Sequence, residues 1–129
     1  MKKILTLVLL FLSLSAKGDD WVFVSSDELS RTFLDASSIK RTSSQQENFQ
    51  IKHVFLSQRD MMGLQHTAAL IKYRISCHRE LILFQQKFLL NGDEIVWTFP
   101  ASEKKQNVTL ELSDEVLQKV CRADPSKAR

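Results

Sequence analysis

The sequence predicts an α+β fold: an antiparallel sheet with a C-terminal helix packed on one face and tethered there by a disulfide. Three observations carry this. Several runs alternate apolar and polar residues with a period of two, most clearly Ala69, Ile71, Tyr73, Ile75 and Cys77 against Leu70, Lys72, Arg74, Ser76 and His78. Asn91-Gly92, a pair tolerant of positive φ, separates two further runs as a hairpin turn does. The two cysteines, Cys77 and Cys121, stand in phase with the apolar side of a strand and of a helix.

The first eighteen residues read as an address signal. Lys2 and Lys3 give a short positive start, and Ile4 to Leu14 is apolar apart from Thr6 and Ser13. Such a run is too short to span a bilayer as a helix and has the length of a signal-peptide core. Ala16 and Gly18 supply the small residues that a signal peptidase needs, so cleavage is expected after Gly18, or alternatively after Ala16. No cysteine lies near the cut, so neither a lipid anchor nor stable membrane insertion after cleavage is expected. A single domain then runs over residues 19–129. Of eighteen Lys and Arg, Lys2, Lys3 and Lys17 leave with the signal, and the fifteen that remain match fifteen Asp and Glu. The exported chain is formally neutral, which argues against a nucleic-acid partner, whose phosphates demand a cationic surplus.

Trp21 to Val24 and Thr32 to Leu34 read as strands, parted by the polar stretch Ser25 to Ser30. Asp35 to Ser38 is a turn, because Asp and Ser side chains bond nearby backbone groups, and Ile39 to Arg41 resumes extended structure. From Asn48 to Leu56, the residues Phe49, Ile51, His53 and Phe55 share one face. Ser57 to Thr67 reads as a connection. After the strand Ala69 to Cys77, His78 to Glu80 reverses the chain, and Leu81 to Leu90 leads through the hairpin to Ile95, Trp97 and Phe99, set on one face. Pro100 ends that run, and Ser102 to Asn107 is expected as a solvated loop.

Ser113 suits an N-cap, Asp114 and Glu115 suit the positive helix start, and Leu112 is placed to staple onto Leu117. The helix predicted from Asp114 to about Arg122 presents Val116, Leu117, Val120 and Cys121, and Asp124-Pro125 stops it. In an oxidising compartment, two thiols aimed at one core form a structural bridge. Their wide separation is unlike the C-x-x-C pattern of redox and zinc sites. Closing a loop of roughly 45 residues stabilises by about 4 kcal/mol on the chain-entropy argument.

The ordered set Trp21-Val22-Phe23-Val24, Phe33-Leu34-Asp35-Ala36-Ser37-Ser38-Ile39-Lys40-Arg41, Tyr73-Arg74-Ile75-Ser76-Cys77 and Val116-Leu117-Gln118-Lys119-Val120-Cys121 resembles the surface-adhesin protein E family of Gram-negative bacteria. The likeness spans nearly all of the exported chain. It rests on Trp21, on Asp35, Ser38, Ile39, Lys40 and Arg41, and on the two cysteines. It implies a curved antiparallel sheet of about six strands with the C-terminal helix on its concave face. It also implies a location in the periplasm or at the cell surface, and adhesion to a host-surface or envelope protein. The chain departs from the family in lacking a lipoprotein cysteine, and no adhesin contact residues carry over to Ser57–Thr67.

Sharper chemistry finds little support. His53 and Tyr73 fall in apolar phase while His78 lies opposite, so no metal or other cofactor is expected. The adjacent acids Asp27-Glu28 and Asp93-Glu94 point apart in extended or turn backbone, unlike a glycosidase pair. There is neither a Gly-rich phosphate loop nor a Gly-x-Ser-x-Gly elbow, and enzyme activity is not expected. Lys104-Lys105 reads as solvated loop and Met61-Met62 as apolar filler. Asn107-Val108-Thr109 matches a glycosylation acceptor that has little meaning in a bacterium. The favoured function is a module that binds a host or envelope protein. The alternatives are a periplasmic inhibitor of a lytic enzyme and a structural or assembly factor that homodimerises through sheet edges or through the exposed opposite sheet face.

Overall fold

The computed structural model describes residues 20–43 and 45–122; the signal segment 1–18 and the Asp124-Pro125 stop lie outside the described residues. Eight strands pair antiparallel throughout: β1 (Trp21–Ser26), β2 (Ser30–Asp35), β3 (Lys40–Ser43), β4 (Gln46–Met61), β5 (Leu64–Ser76), β6 (Leu81–Asn91), β7 (Glu94–Thr98) and β8 (Gln106–Asn107). Six of them form the main path, β1-β2-β4-β5-β6-β7. The two extra strands are short, with β3 beside β4 and β8 beside β6. One α-helix among the described residues, α1 (Asp114–Arg122), completes the fold. No described helix is long and apolar enough to cross a membrane.

The core lies on one side of the sheet, and strand register explains why. β4 sets Phe49 opposite Tyr73 and Ile51 opposite Ile71 on β5, while Leu34 of β2 sits beside Ile51. With Ile75 and Ile82 these residues form a continuous apolar surface. α1 closes it with Val116 and Val120, both essentially fully buried. Those two side chains contribute about 3–6 kcal/mol of apolar burial. Ser113 caps the helix, its Oγ accepting from the Val116 N–H at 3.4 Å. Ahead of it, the 3-10 turn Val108–Leu110 buries Val108 and is capped by Asn107, whose Oδ1 accepts from the Thr109 N–H and Oγ1 at 2.9 and 2.7 Å. The Asn-Val-Thr triplet is thus a turn device. Cys77 and Cys121 are joined, with Cα atoms 5.8 Å apart, at the margin of this core.

Four expectations are corrected. Ser57 to Thr67 is not a connection, because β4 continues to Met61 and β5 begins at Leu64, paired as a ribbon. Ser57 to Asp60 is exposed, so no core imposes an alternating pattern there. Met62 and Gly63 make the turn, both at positive φ (51° and 85°), and Met is not a residue from which that conformation is read. The second hairpin turns one residue later than expected: Asn91 pairs with Glu94, and Gly92, at φ 62°, leads the turn pair Gly92-Asp93. Ser102 to Asn107 is not a free loop. Ser102 exchanges backbone hydrogen bonds with Gln85 at 2.8 and 2.9 Å, and β8 pairs with the start of β6. Finally, the β6–β7 ladder slips between Leu89 and Leu90, which breaks the expected alternation of Ile95 and Trp97 and leaves both half exposed.

The helix is short enough to be marginal alone, so the bridge and the two valines hold it. Cys121→Ala is expected to lower stability by about 4 kcal/mol and to release α1 before the sheet unfolds. Hydrogen exchange should show loss of protection at Val116–Val120 with the β4–β5 amides still protected; equal loss in both would show that the bridge secures the sheet instead.

Candidate binding surface

Helix α1 covers one face of the sheet, while the 3-10 turn Ala36–Ser38 borders one corner of the other. Because side chains alternate along a strand, the register fixes what this open face presents. It receives Trp21 and Phe23 from β1, Arg31, Phe33 and Asp35 from β2, and Asn48, Gln50 and Lys52 from β4. β5 adds Leu70, Lys72 and Arg74, and β6 adds Phe84, Gln86 and Phe88. Aromatic rings and cations interleave: Lys52 Nζ lies 4.8 Å from the Trp21 ring centroid, Lys72 Nζ 5.6 Å from Phe88, and the Arg74 guanidinium 5.9 Å from Phe84. Each long aliphatic stem shields apolar sheet while its charged end stays in water. Phe23, 53% exposed, packs edge-on against Phe33 at the β1 side.

An open cleft of about 550 Å³ crosses this face, lined among others by Asp35, Lys40, Asn48, Lys72, Arg74 and Phe84. Its floor is tied together by Asp35, which is 2% exposed. Asp35 Oδ1 accepts from Ser37 Oγ at 2.7 Å and from the backbone N–H groups of Ser37 and Asp20 at 3.2 Å; Oδ2 accepts from Gln50 Nε2 at 2.7 Å. Ser38 Oγ donates to the Asp35 carbonyl at 2.7 Å and accepts from the Gln50 N–H at 3.0 Å. These two side chains bind the 3-10 turn Ala36–Ser38 to β4 and to the start of β1. Burial pushes the Asp35 carboxyl up, but the donors from Ser37, Gln50 and Asp20 outweigh it, and the net result lies below the ordinary 3.8.

The residues of the family-like motif therefore separate. Trp21, Asp35, Ser38 and Lys40 gather at one corner of the open face, where Trp21 pairs with Asp35 and Lys40 pairs with Asn48. Ile39 turns to the core, and Arg41 lies across the ladder from buried Glu47, Nε to Oε2 3.8 Å. Cys77 and Cys121 belong to the helix side and do not join this group. Lys52, Lys72, Arg74, Phe84 and Phe88 were not singled out from sequence as a surface. The available signal was phase: Lys72 and Arg74 of β5 stand two residues apart and Phe84 and Phe88 of β6 four apart, all on the strand side opposite the core. Comparison with known proteins finds no matching family model, no matching curated protein and no matching solved structure.

His53 sits on the helix side, bonded through Nδ1 to Thr32 Oγ1 at 2.9 Å. Burial holds it below the ordinary imidazole value of 6.5, helped by the Lys87 charge and opposed by Asp27. Two pH windows follow. A depressed histidine is protonated first in the unfolded chain, so stability should fall as the pH drops below 6.5 toward the folded value, and His53→Gln should flatten that limb. The depressed Asp35 contributes fully above 3.8, and its contribution is lost as the pH falls through the lower folded value. Asp35→Ala leaves its donors unpaired and should cost about 2–3 kcal/mol at neutral pH. Urea unfolding across the pH range tests both; unchanged limbs in the variants would remove these residues from the account.

Proposed function

We propose that the chain is a non-enzymatic exported module that binds another protein, adhesin-like in role, with a host-surface or envelope protein as partner. The observation that carries this reading is the open face: a broad antiparallel surface of rings and cations left without a covering layer while the opposite face has its own helix. Partly exposed aromatics and Arg are the residue types that anchor protein interfaces. The outermost strands β1 and β7 add edges able to accept an incoming strand. The resemblance to the surface-adhesin protein E family supports the same role.

A photoreactive residue placed at Phe84 or Phe88, in the full chain with its export segment, tests the reading, with exposed Leu110 as control. Protein adducts from the face positions on cells or envelopes, absent from Leu110, are expected. Adducts only to a second copy of the chain would favour the assembly factor. Adducts only to a lytic enzyme would favour the inhibitor, and no adduct would remove the face from the function.

A further inference from the structure

We infer that the segment of the partner that docks on the open face is acidic and extended, with apolar side chains between its carboxylates; this rests on the protein-binding reading above. Charge is the first ground. The exported chain is neutral as a whole, yet the register places Arg31, Lys52, Lys72 and Arg74 on this face, with Lys40 on the adjoining β3. The carboxylate that the same register places among them is Asp35, whose two oxygens are turned into the wall and accept four hydrogen bonds. A carboxylate arriving at the cleft thus meets Lys40, Lys72 and Arg74 without a competing exposed acid among its lining residues.

Geometry is the second ground. Lys72 and Arg74 are two residues apart on one strand, a spacing of about 6.8 Å, and acids at alternate positions of an extended segment repeat at the same interval. Asn48 Oδ1 accepts from Arg74 Nε at 3.1 Å, which fixes the guanidinium plane and leaves its terminal N–H groups to meet a carboxylate as a fork. Lysines and arginine already laid against rings lose less freedom when they pair.

The third ground separates a polypeptide from other polyanions. Sugar rings bind by stacking on bare aromatic faces, whereas Trp21, Phe84 and Phe88 each carry a cation. Among the cations lie Leu70 and Phe33, with the exposed Phe23 beyond Phe33 at the β1 edge, and these need apolar side chains opposite them. An acidic polypeptide brings both kinds of group; a hydrated anionic glycan brings one.

The test uses the exported chain and immobilised short peptides matched in Leu and Phe content, carrying Asp/Glu, neutral polar or Lys/Arg residues at alternate positions. Sulfated glycan and anionic phospholipid vesicles serve as competitors. The acidic series should bind, weaken with added salt, and lose more than about tenfold in affinity in Lys72→Glu/Arg74→Glu. Lys104→Glu/Lys119→Glu, the same charge change away from the face, should bind as the parent does. Thermal unfolding shows that each variant is folded, and Lys72→Gln/Arg74→Gln repeats the test without charge reversal. Equal binding of all three series, an unchanged affinity in both face variants, or tighter binding of the glycan or the vesicles would overturn the inference. The two readings fail separately: protein adducts at Phe84 without acidic-peptide binding leave the protein-binding reading standing and this one refuted, while absence of both refutes both.

Discussion

One short helix cannot cover both faces of a six-stranded sheet, and much of the molecule follows from that shortage. Nine residues of α-helix extend roughly 14 Å, while six strands side by side span roughly 24 Å. Helix α1 and the 3-10 turn before it bury a single apolar patch centred on Ile51, Ile71 and Ile75. The other face has to meet water with its own side chains. It does so by laying Lys52, Lys72 and Arg74 over Trp21, Phe88 and Phe84, so that apolar rings are shielded by stems whose ends remain solvated. The same arrangement that makes this face tolerable in water makes it a surface of apolar and cationic character.

The helix side was the legible part of the sequence. Alternation at Ile71, Tyr73 and Ile75, the cap at Ser113 and the phase of Val116 and Val120 all report burial against one core, and the disulfide between Cys77 and Cys121 was read from their place in that pattern. Legibility failed where burial failed. The outer end of β4, Ser57 to Asp60, is exposed and has no core to impose a period, and Met62 gives no sign of a positive φ, so the Met62-Gly63 hairpin leaves no mark in the sequence. The run from Ser102 to Asn107 joins the sheet through backbone hydrogen bonds, which leave no mark on side-chain composition. The open face was hidden for a further reason: Lys and Arg in strand positions look like ordinary solvated residues until register shows which rings lie beside them.

The motif around Asp35 illustrates how a distinctive string can be architectural. Asp35 and Ser38 face inward and satisfy backbone and side-chain donors from three segments, and Arg41 lies against Glu47. Of the residues in that string, Lys40 borders the cleft with an exposed charged side chain. The string is therefore best understood as the fastening that fixes one wall of the cleft, while the charge lining that cleft comes from Lys40 at its end and from Lys72 and Arg74 on the neighbouring β5.

The placement of the covalent clasp makes this division workable. Stability is concentrated on the helix side, where the bridge and fully buried aliphatic residues each contribute kilocalories. An exposed ring–cation pair on the open face contributes about 0.5–1 kcal/mol. Changes of charge there alter a surface without touching the elements that hold the chain folded. A small domain whose core and clasp lie on one side of its sheet can vary the other side at low structural cost, and for a binding module that is the side that must match a partner.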